Sequence, residues 1–276
     1  MRRVGEASGR PVTASQRRGS RFAGVGFDVR ADAYDRFMGR YSGPLAAPFA
    51  DLAGVGAGQR ALDVGCGPGA LTGELVGRLG AEGVAAVDPS ASFVEAAGER
   101  HPGVDVRLGA AEALPFDDGG FDVVLAQLVV HFMADPVAGL REMARVARPG
   151  GVVAACVWDH GGGQGPLTPF WQAVRTFDPE ARGEADLAGA RQGQLTELFA
   201  AAGLAGIDES LLDVRVEHAS FEEWWEPFTF GVGPAGAYVA RLAPHERDDL
   251  RERCRETLPS PPFALHARAW AARASV

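Results

Sequence analysis

An apolar run that ends in an acid and three closely spaced glycines constrains this chain more than any other stretch. The run predicts a buried strand, and three leucines at helical spacing follow the glycines. A strand, a glycine turn and a helix make half of a βαβ unit. Glycine lets the backbone turn sharply and lets a ligand approach closely. An α/β fold with a ligand at this turn is therefore predicted from the stretch Ala61-Leu62-Asp63-Val64-Gly65-Cys66-Gly67-Pro68-Gly69-Ala70.

The acid before the turn bears on which ligand the turn holds. Gly65, Gly67 and Ala70 also fit the G-x-G-x-x-A pattern of dinucleotide enzymes. A dinucleotide puts its pyrophosphate at the helix N-terminus, where the carboxylate of Asp63 would repel it. Asp63 suits a ligand with positive charge and no phosphate, such as S-adenosylmethionine (SAM), which carries an ammonium and a sulfonium. The alternative is that Asp63 only accepts hydrogen bonds from loop amides, and the two roles are compatible.

The segment from Leu62 to Gly69 resembles the first motif of class I SAM-dependent methyltransferases. The closest resemblance is to the type 11 domain branch, which acts on small molecules, and it covers residues 34 to 158. It implies a Rossmann-like open sheet of seven strands, mostly parallel with the last strand antiparallel, plus a helical substrate cap. It also implies SAM as the cofactor and methyl transfer to an N, O or C nucleophile of a small, partly apolar molecule.

A second acid follows the next apolar segment, which ends at Asp88. Asp88 comes about 20 residues after the glycines, where a carboxylate accepts hydrogen bonds from ribose hydroxyls. Enzymes that bind NAD share this device, so it indicates an adenosine-type ligand without choosing between cofactors. An NAD-binding oxidoreductase and a non-catalytic SAM-binding module therefore remain as alternatives to the methyltransferase.

The segment around Tyr34 and Arg40 resembles the family's N-terminal helical cover over the cofactor. The resemblance implies that Tyr34 packs near the methionine moiety and that Arg40 binds its carboxylate. A bidentate arginine is well matched to a carboxylate. The alternative is an ordinary amphipathic helix with a surface arginine.

The loop at residues 109–116 resembles the family's adenine-binding loop, with one departure. Ala110 stands where the family usually has an aspartate that contacts the adenine amino group. The resemblance leaves the backbone N–H of Ala111 for the ring and makes Glu112 a possible substitute for the aspartate. Gln127 ends the fourth predicted strand, at the edge where ligands of open α/β sheets bind, and is expected near the methionine part of SAM.

His131 is the candidate general base. The family often carries a histidine here, facing the transfer site, and histidine titrates near neutral pH. A base is needed only where the acceptor must lose a proton, as alcohols and phenols do. The alternative is a packing or substrate-contacting histidine. His160, which follows the fifth predicted strand, is a second candidate.

Residues outside the predicted sheet suggest a division of the chain. Residues 1–27 are rich in Arg, Gly and Ser and predict a disordered tail, with the methyltransferase domain over 28–276. Two segments, about 159–190 and 219–261, predict the cap. The aromatic residues of the second segment either roof a substrate pocket or form the core of that cap; they are Phe221, Trp224, Trp225, Phe228 and Phe230.

Composition excludes several function classes. The 276 residues include 27 basic residues, all of them arginine, and the net charge is -9. Without lysine the chain cannot form a Schiff base or the phosphate-loop contact of P-loop NTPases. The acidic balance argues against broad contact with nucleic acid or an anionic membrane. The three cysteines form no C-x-x-C pair, so we expect no metal site and a reduced, cytoplasmic setting.

Overall fold

The computed structural model describes residues 31–181 and 183–276, and the predicted tail lies outside them. Within these residues seven strands form one sheet in the order β3-β2-β1-β4-β5-β7-β6. Six strands run parallel and β7 is antiparallel to both neighbours, as predicted. The strands are β1 (Ala61–Val64), β2 (Val84–Asp88), β3 (Asp105–Leu108), β4 (Phe121–Gln127), β5 (Ala147–Trp158), β6 (Ala205–His218) and β7 (Phe263–Ser275).

Helices cover both faces of the sheet. They are α1 (Ala31–Tyr34), α2 (Arg40–Ala53), α3 (Ala70–Leu79), α4 (Ala91–Arg100), α5 (Pro136–Val146), α6 (Thr168–Phe177), α7 (Gln194–Ala201), α8 (Phe221–Trp225), α9 (Gly233–Ala240) and α10 (Pro244–Thr257). A π-helical turn, Asp35–Gly39, joins α1 to α2. Helices α2 and α3 pack on one face, while α5 and α7 pack on the other. No helix of this described part is long and apolar enough to cross a membrane.

The central strands are buried on both faces, which explains their unbroken apolar sequences. Every residue of β1 and β2 is buried, including the acids Asp63 and Asp88. Leu62 and Val64 pack towards α5, whereas Ala61 packs towards α2 and α3. The carboxylates of the two acids therefore lie at the carboxyl edge of the sheet and are shielded from solvent. Water competes little for their hydrogen bonds.

Most of the predicted cap aromatics pack against one another. Helices α6, α8, α9 and α10 share one apolar cluster. Within it, the rings of Phe170 and Phe228 stack at 4.5 Å, and Phe37 meets Phe228 edge-on at 5.2 Å. Stacked and edge-on aromatic pairs stabilise such a cluster beyond the area they bury. The alternative that these aromatics form the core of a helical cap thus has structural support, and their role as a roof over a substrate stays a prediction.

Two strands are longer than the sequence predicts. The sequence predicts a fifth strand from Val152, but β5 starts at Ala147 because Ala147 already pairs with Phe121 of β4. The alternation of apolar and polar residues predicts β6 only from Leu212, yet β6 starts at Ala205. The first half of β6 is largely exposed and carries no apolar alternation, so its pairing with β7 leaves no periodic signal in the sequence.

Candidate functional site

The glycine turn between β1 and α3 has a backbone that glycine adopts at little cost. Gly65, Gly67 and Gly69 have φ values of 71°, 53° and 97°, in the region that side chains disfavour. The N–H groups of Gly65 and Cys66 donate to the carbonyl oxygen of Val87 at 2.7 and 3.0 Å. These bonds tie the turn to the end of β2.

The end of α4 holds the outer side of the turn. Arg100 donates to the carbonyl oxygen of Pro68 at 3.1 Å, and the Nε2 of His101 lies 2.9 Å from the carbonyl oxygen of Gly69. A Cβ on Gly69 would lie 2.7 Å from the His101 ring. Because these partners are remote in sequence, no local pattern predicts that α4 positions the turn.

Asp63 lies under the turn and is 1% exposed. Its Oδ2 accepts a hydrogen bond from the Thr72 hydroxyl at 2.7 Å. Burial, and to a lesser degree the charge of Asp88, raises the pKa of Asp63 to about 7, although hydrogen bonds from the Thr72 hydroxyl and N–H lower it. These hydrogen bonds come from Thr72 in the first turn of α3, and not from amides of the glycine loop as the alternative role of Asp63 expects. Its role in holding a cationic ligand stays a prediction.

Asp88 faces the turn from the end of β2 and is 6% exposed. Its Oδ2 accepts from the N–H of Gly67 at 2.9 Å, and its Oδ1 accepts from the N–H of Ser90 at 2.8 Å. Burial raises the pKa of Asp88, and these two amides lower it. Each carboxylate oxygen can accept a second hydrogen bond. Asp88 thus keeps the capacity for two ribose hydroxyls, the role predicted for it.

The predicted cover segment lies against α4, beside Asp88. The Tyr34 ring meets the Phe93 ring edge-on at 5.4 Å, and Asp35 pairs with Arg100 at 2.5 Å. Burial, and after it the charge of Asp88, raises the pKa of the Tyr34 phenol. Tyr34 is therefore near Asp88, whose carboxylate is predicted to bind the ribose. The packing of Tyr34 against a methionine moiety stays a prediction.

Arg40 contacts the far side of the sheet. Its Nη1 lies 3.0 Å from the Nδ1 of His218 and 3.6 Å from a carboxylate oxygen of Glu223. Its Nε donates to the carbonyl oxygen of Arg36 at 3.1 Å. Arg40 would have to exchange these partners to bind the methionine carboxylate, so that role also stays a prediction.

The end of β4 carries two buried polar atoms without hydrogen-bond partners in the described residues. Gln127 donates from Nε2 to the carbonyl oxygen of Ser42 at 3.0 Å, which leaves its Oε1 unpaired. The Nδ1 of His131 is likewise unpaired. Between them Leu128 has a φ of 63°, a conformation that costs a leucine about 1–2 kcal/mol and that is often found at functional sites. No sequence pattern indicated this strained leucine.

His131 differs from its sequence-based description in one respect. The sequence argument expects titration near neutral pH, but burial, and secondarily His160, lowers the pKa of His131 to about 3. The reason is that the ring is only 8% exposed and so loses the solvation of its charged form. His131 is therefore a neutral imidazole near pH 7, and its role as a general base stays a prediction.

The loop after β3 is joined to the start of α5. Glu112 accepts at Oε1 from the N–H of Asp135 at 3.1 Å, and Ala111 is buried at 8% exposure. One carboxylate oxygen of Glu112 is thus engaged in fixing the loop. The predicted contacts of Ala111 and Glu112 with adenine stay predictions.

Two glycines of the turn offer a matched pair of substitutions. A Cβ on Gly65 would lie 2.5 Å from a Val129 methyl, whereas a Cβ on Gly67 would meet nothing within 4 Å. We expect Gly65→Ala to lower the free energy of unfolding by about 2–3 kcal/mol, from strain and steric overlap, and Gly67→Ala by only about 1 kcal/mol. Chemical denaturation measures both.

The same pair separates stability from ligand binding. Gly67→Ala fills open space beside Asp88, so we expect it to weaken SAM binding by about tenfold while remaining folded. If Gly67→Ala bound SAM as tightly as the unaltered chain, the ligand would not approach the turn at Gly67.

Part of the chain is similar in sequence to known methyltransferases. The family model described as "Methyltransferase domain" matches residues 62–155. An uncharacterised methyltransferase of Mycobacterium tuberculosis is 38% identical over 135 residues, which are 49% of this chain and 52% of that protein. The ubiquinone biosynthesis O-methyltransferase of Parvibaculum lavamentivorans is 41% identical over 110 residues, 38% of this chain and 40% of that protein. The chain spans about a third to three fifths of the length of such relatives.

Solved structures share the fold at low sequence identity. The YcgJ protein of Bacillus subtilis has a TM-score of 0.54 and 18% identity, and the match covers 83% of this chain and 97% of that one. A putative methyltransferase of Bacillus halodurans has the same TM-score, 16% identity and the same coverage. Residues 62–155 therefore match the methyltransferase domain family, and the chain shares the fold of these solved structures.

Proposed function

We propose that this chain transfers the methyl group of SAM to an N, O or C nucleophile of a small, partly apolar molecule. The observation that carries the proposal is the pair of buried carboxylates, Asp63 and Asp88, at the ends of neighbouring parallel strands around the glycine turn. A cationic, phosphate-free nucleoside satisfies both acids, whereas a pyrophosphate would be repelled by both.

Features of this site fit SAM better than a dinucleotide. The pKa of Asp63, raised to about 7, indicates a carboxylate that lacks a compensating cation, and an ammonium would supply one. Two more groups, Gln127 Oε1 and His131 Nδ1, are buried without partners in the described part of the chain. Buried polar atoms without partners are costly, and ligand groups that hydrogen-bond to them would remove that cost.

Each residue has a defined part in the proposed reaction. Bound SAM supplies a methyl group that its sulfonium charge activates. Asp88 would hold the ribose and Asp63 the ammonium, so the methyl carbon would be held in place for attack by the acceptor's nucleophile. Alignment of this kind contributes several kcal/mol to catalysis. The neutral His131 accepts a hydrogen bond, or a proton where the acceptor is an alcohol or a phenol; a free amine needs no base.

The substrate class rests on relatives. Ubiquinone biosynthesis O-methyltransferase and demethylmenaquinone methyltransferase, named for small-molecule pathways, share 41% and 36% identity over 110 residues each. The aromatic cluster of the cap supports a partly apolar acceptor. We also propose that the chain is cytoplasmic, as its three free cysteines suggest. Its net charge of -9 supports the further proposal that it contacts neither nucleic acid nor membrane.

Two calorimetric titrations test the cofactor. We expect SAM and S-adenosylhomocysteine to bind and NAD⁺ to give no heat of binding, because only the former bring a positive charge to Asp63 without a phosphate. Incubation with methyl-labelled SAM and cell extract should then release S-adenosylhomocysteine and label a small molecule. Binding of NAD⁺ in place of SAM would support an oxidoreductase. Tight SAM binding without release of S-adenosylhomocysteine from any extract would support a non-catalytic module.

A further inference from the structure

A buried carboxylate outside the cofactor site makes no ion pair with any residue that the structure describes. Glu184 is 5% exposed, and its Oε2 accepts a hydrogen bond from the indole N–H of Trp171 at 2.8 Å. No hydrogen bond to its other oxygen is found in residues 31–181 and 183–276, and this oxygen is not one of the fully buried polar atoms that lack a partner there. Burial raises the pKa of Glu184 to about 7, and only the Trp171 bond opposes this rise. A carboxylate in this setting is costly to ionise without a cation.

The local backbone holds Glu184 firmly in position. Gly183 has a φ of 56° and packs so tightly on the Trp171 ring that an added Cβ would lie 2.7 Å from it. The N–H of Leu187 donates to the carbonyl oxygen of Glu184 at 3.1 Å. The side chain is therefore fixed at both ends, and ligand binding would require little ordering of it.

Glu184 lines a cavity whose lining includes His160, two residues after the end of β5. Trp171, Thr168, His160 and Arg175 also line this cavity, which we call the Glu184 cavity. The His160 ring lies 6.3 Å from the His131 ring, centroid to centroid. His131 follows β4, the neighbour of β5, so the cavity adjoins the edge where the methyl group would be presented.

The charges around the cavity favour one type of ligand group. Burial lowers the pKa of His160 to about 4, so this ring is neutral near pH 7. Arg175 also lines the cavity; it is exposed, and no ion pair between it and Glu184 within 4 Å is found among the described residues. The unpaired oxygen is an acceptor, which a hydroxyl could satisfy, but only a cation would also offset the buried charge.

We propose that the Glu184 cavity binds a protonated amine of the methyl acceptor, with Glu184 as its anion partner and Trp171 holding the carboxylate in place. This inference rests on the proposed methyltransferase function. A protonated nitrogen has no lone pair, so the anchored amine is not the nucleophile while it is held in this form. Glu184 is thus a specificity-determining residue, and the acceptor carries an amine in addition to its reacting atom.

The test uses small probes that do not depend on knowing the acceptor. Butylammonium, butan-1-ol and butyrate have similar shapes and differ in charge, and each is titrated into the full chain. Nitrogen-15 NMR follows the indole N–H of Trp171, which Trp171→Phe assigns. We expect butylammonium to shift this resonance, while butan-1-ol binds about tenfold or more weakly and butyrate does not bind.

Two matched variants locate the binding. Glu184→Gln keeps an amide oxygen for the Trp171 N–H but removes the charge, and we expect it to weaken butylammonium binding by about tenfold to a hundredfold. Glu180→Gln removes the same charge from an exposed position nearby and should leave binding unchanged. A wild-type response in Glu184→Gln, equal binding of butan-1-ol, or no response to butylammonium would each overturn the proposal.

The readout separates this proposal from the methyltransferase function. SAM titration of the same samples shows whether Glu184→Gln is folded and binds cofactor, as we expect. If no sample bound SAM, the proposed function would fail while the probe data still decided whether the cavity binds amines. If SAM bound and butylammonium did not, only the amine proposal would fail.

Discussion

Asp88→Asn is expected to weaken SAM binding by about tenfold to a hundredfold. The substitution replaces charge-assisted hydrogen bonds to the ribose hydroxyls, which contribute about 1.5–3 kcal/mol. Asp88 also accepts the N–H groups of Gly67 and Ser90, so part of any loss could come from a displaced turn. Calorimetry with SAM must therefore be combined with a measurement that isolates the ribose contact.

A ligand lacking one ribose hydroxyl supplies that measurement. S-(2′-deoxyadenosyl)homocysteine should bind the unaltered chain more weakly than S-adenosylhomocysteine does, because one hydrogen bond to Asp88 is missing. In Asp88→Asn the two ligands should differ much less, and the cycle of two ligands and two proteins gives the coupling energy. Asp117→Asn, which removes an exposed acid elsewhere, is the control. Zero coupling would mean that Asp88 shapes the turn without contacting the ribose.

The arrangement at the carboxyl edge of the sheet could largely be predicted, because the sequence patterns that indicate it are local. A buried strand must be apolar, a sharp turn needs glycine, and parallel strands bring their carboxyl ends to one edge. Two acids at the ends of the first two predicted strands therefore had to be neighbours, and Asp63 and Asp88 are. The predictions of a Rossmann-like sheet of seven strands and of an antiparallel last strand came from the resemblance to a known family.

The features that the sequence did not predict depend on contacts between segments that are distant in the chain. Arg40 meets His218, 178 positions away, and no spacing rule predicts such a partner. The pKa of His131 depends on how deeply its ring is buried, which only the packed structure defines. Glu184 sits in a segment rich in glycine and acids, a composition typical of a solvated loop, yet it is buried against Trp171.

The last prediction concerns the pH dependence of SAM binding. In the folded chain the pKa of Asp63 is raised from 3.8 to about 7, so the ligand-free protein holds a proton there that the unfolded chain releases. The raised pKa of Asp63 therefore stabilises the folded chain fully below about pH 4, and this stabilisation is lost as the pH rises through 7. An ammonium beside Asp63 favours the carboxylate, so SAM binding below pH 7 must expel that proton. We therefore expect SAM affinity to rise by about tenfold between pH 5.5 and pH 7.5.

Proton release during binding measures this linkage directly. Calorimetry at pH 6 in two buffers of different ionisation enthalpy should show close to one proton released per SAM bound, and much less at pH 8. In Asp63→Asn the release should vanish, and 5′-methylthioadenosine, which has no ammonium, should release none from the unaltered chain. Proton release by 5′-methylthioadenosine equal to that by SAM would assign the titration to a group away from the ammonium. If SAM released no proton at any pH, Asp63 would stay protonated as a neutral partner of Thr72. Asp88 would then be the one carboxylate of the pair that binds SAM as an anion.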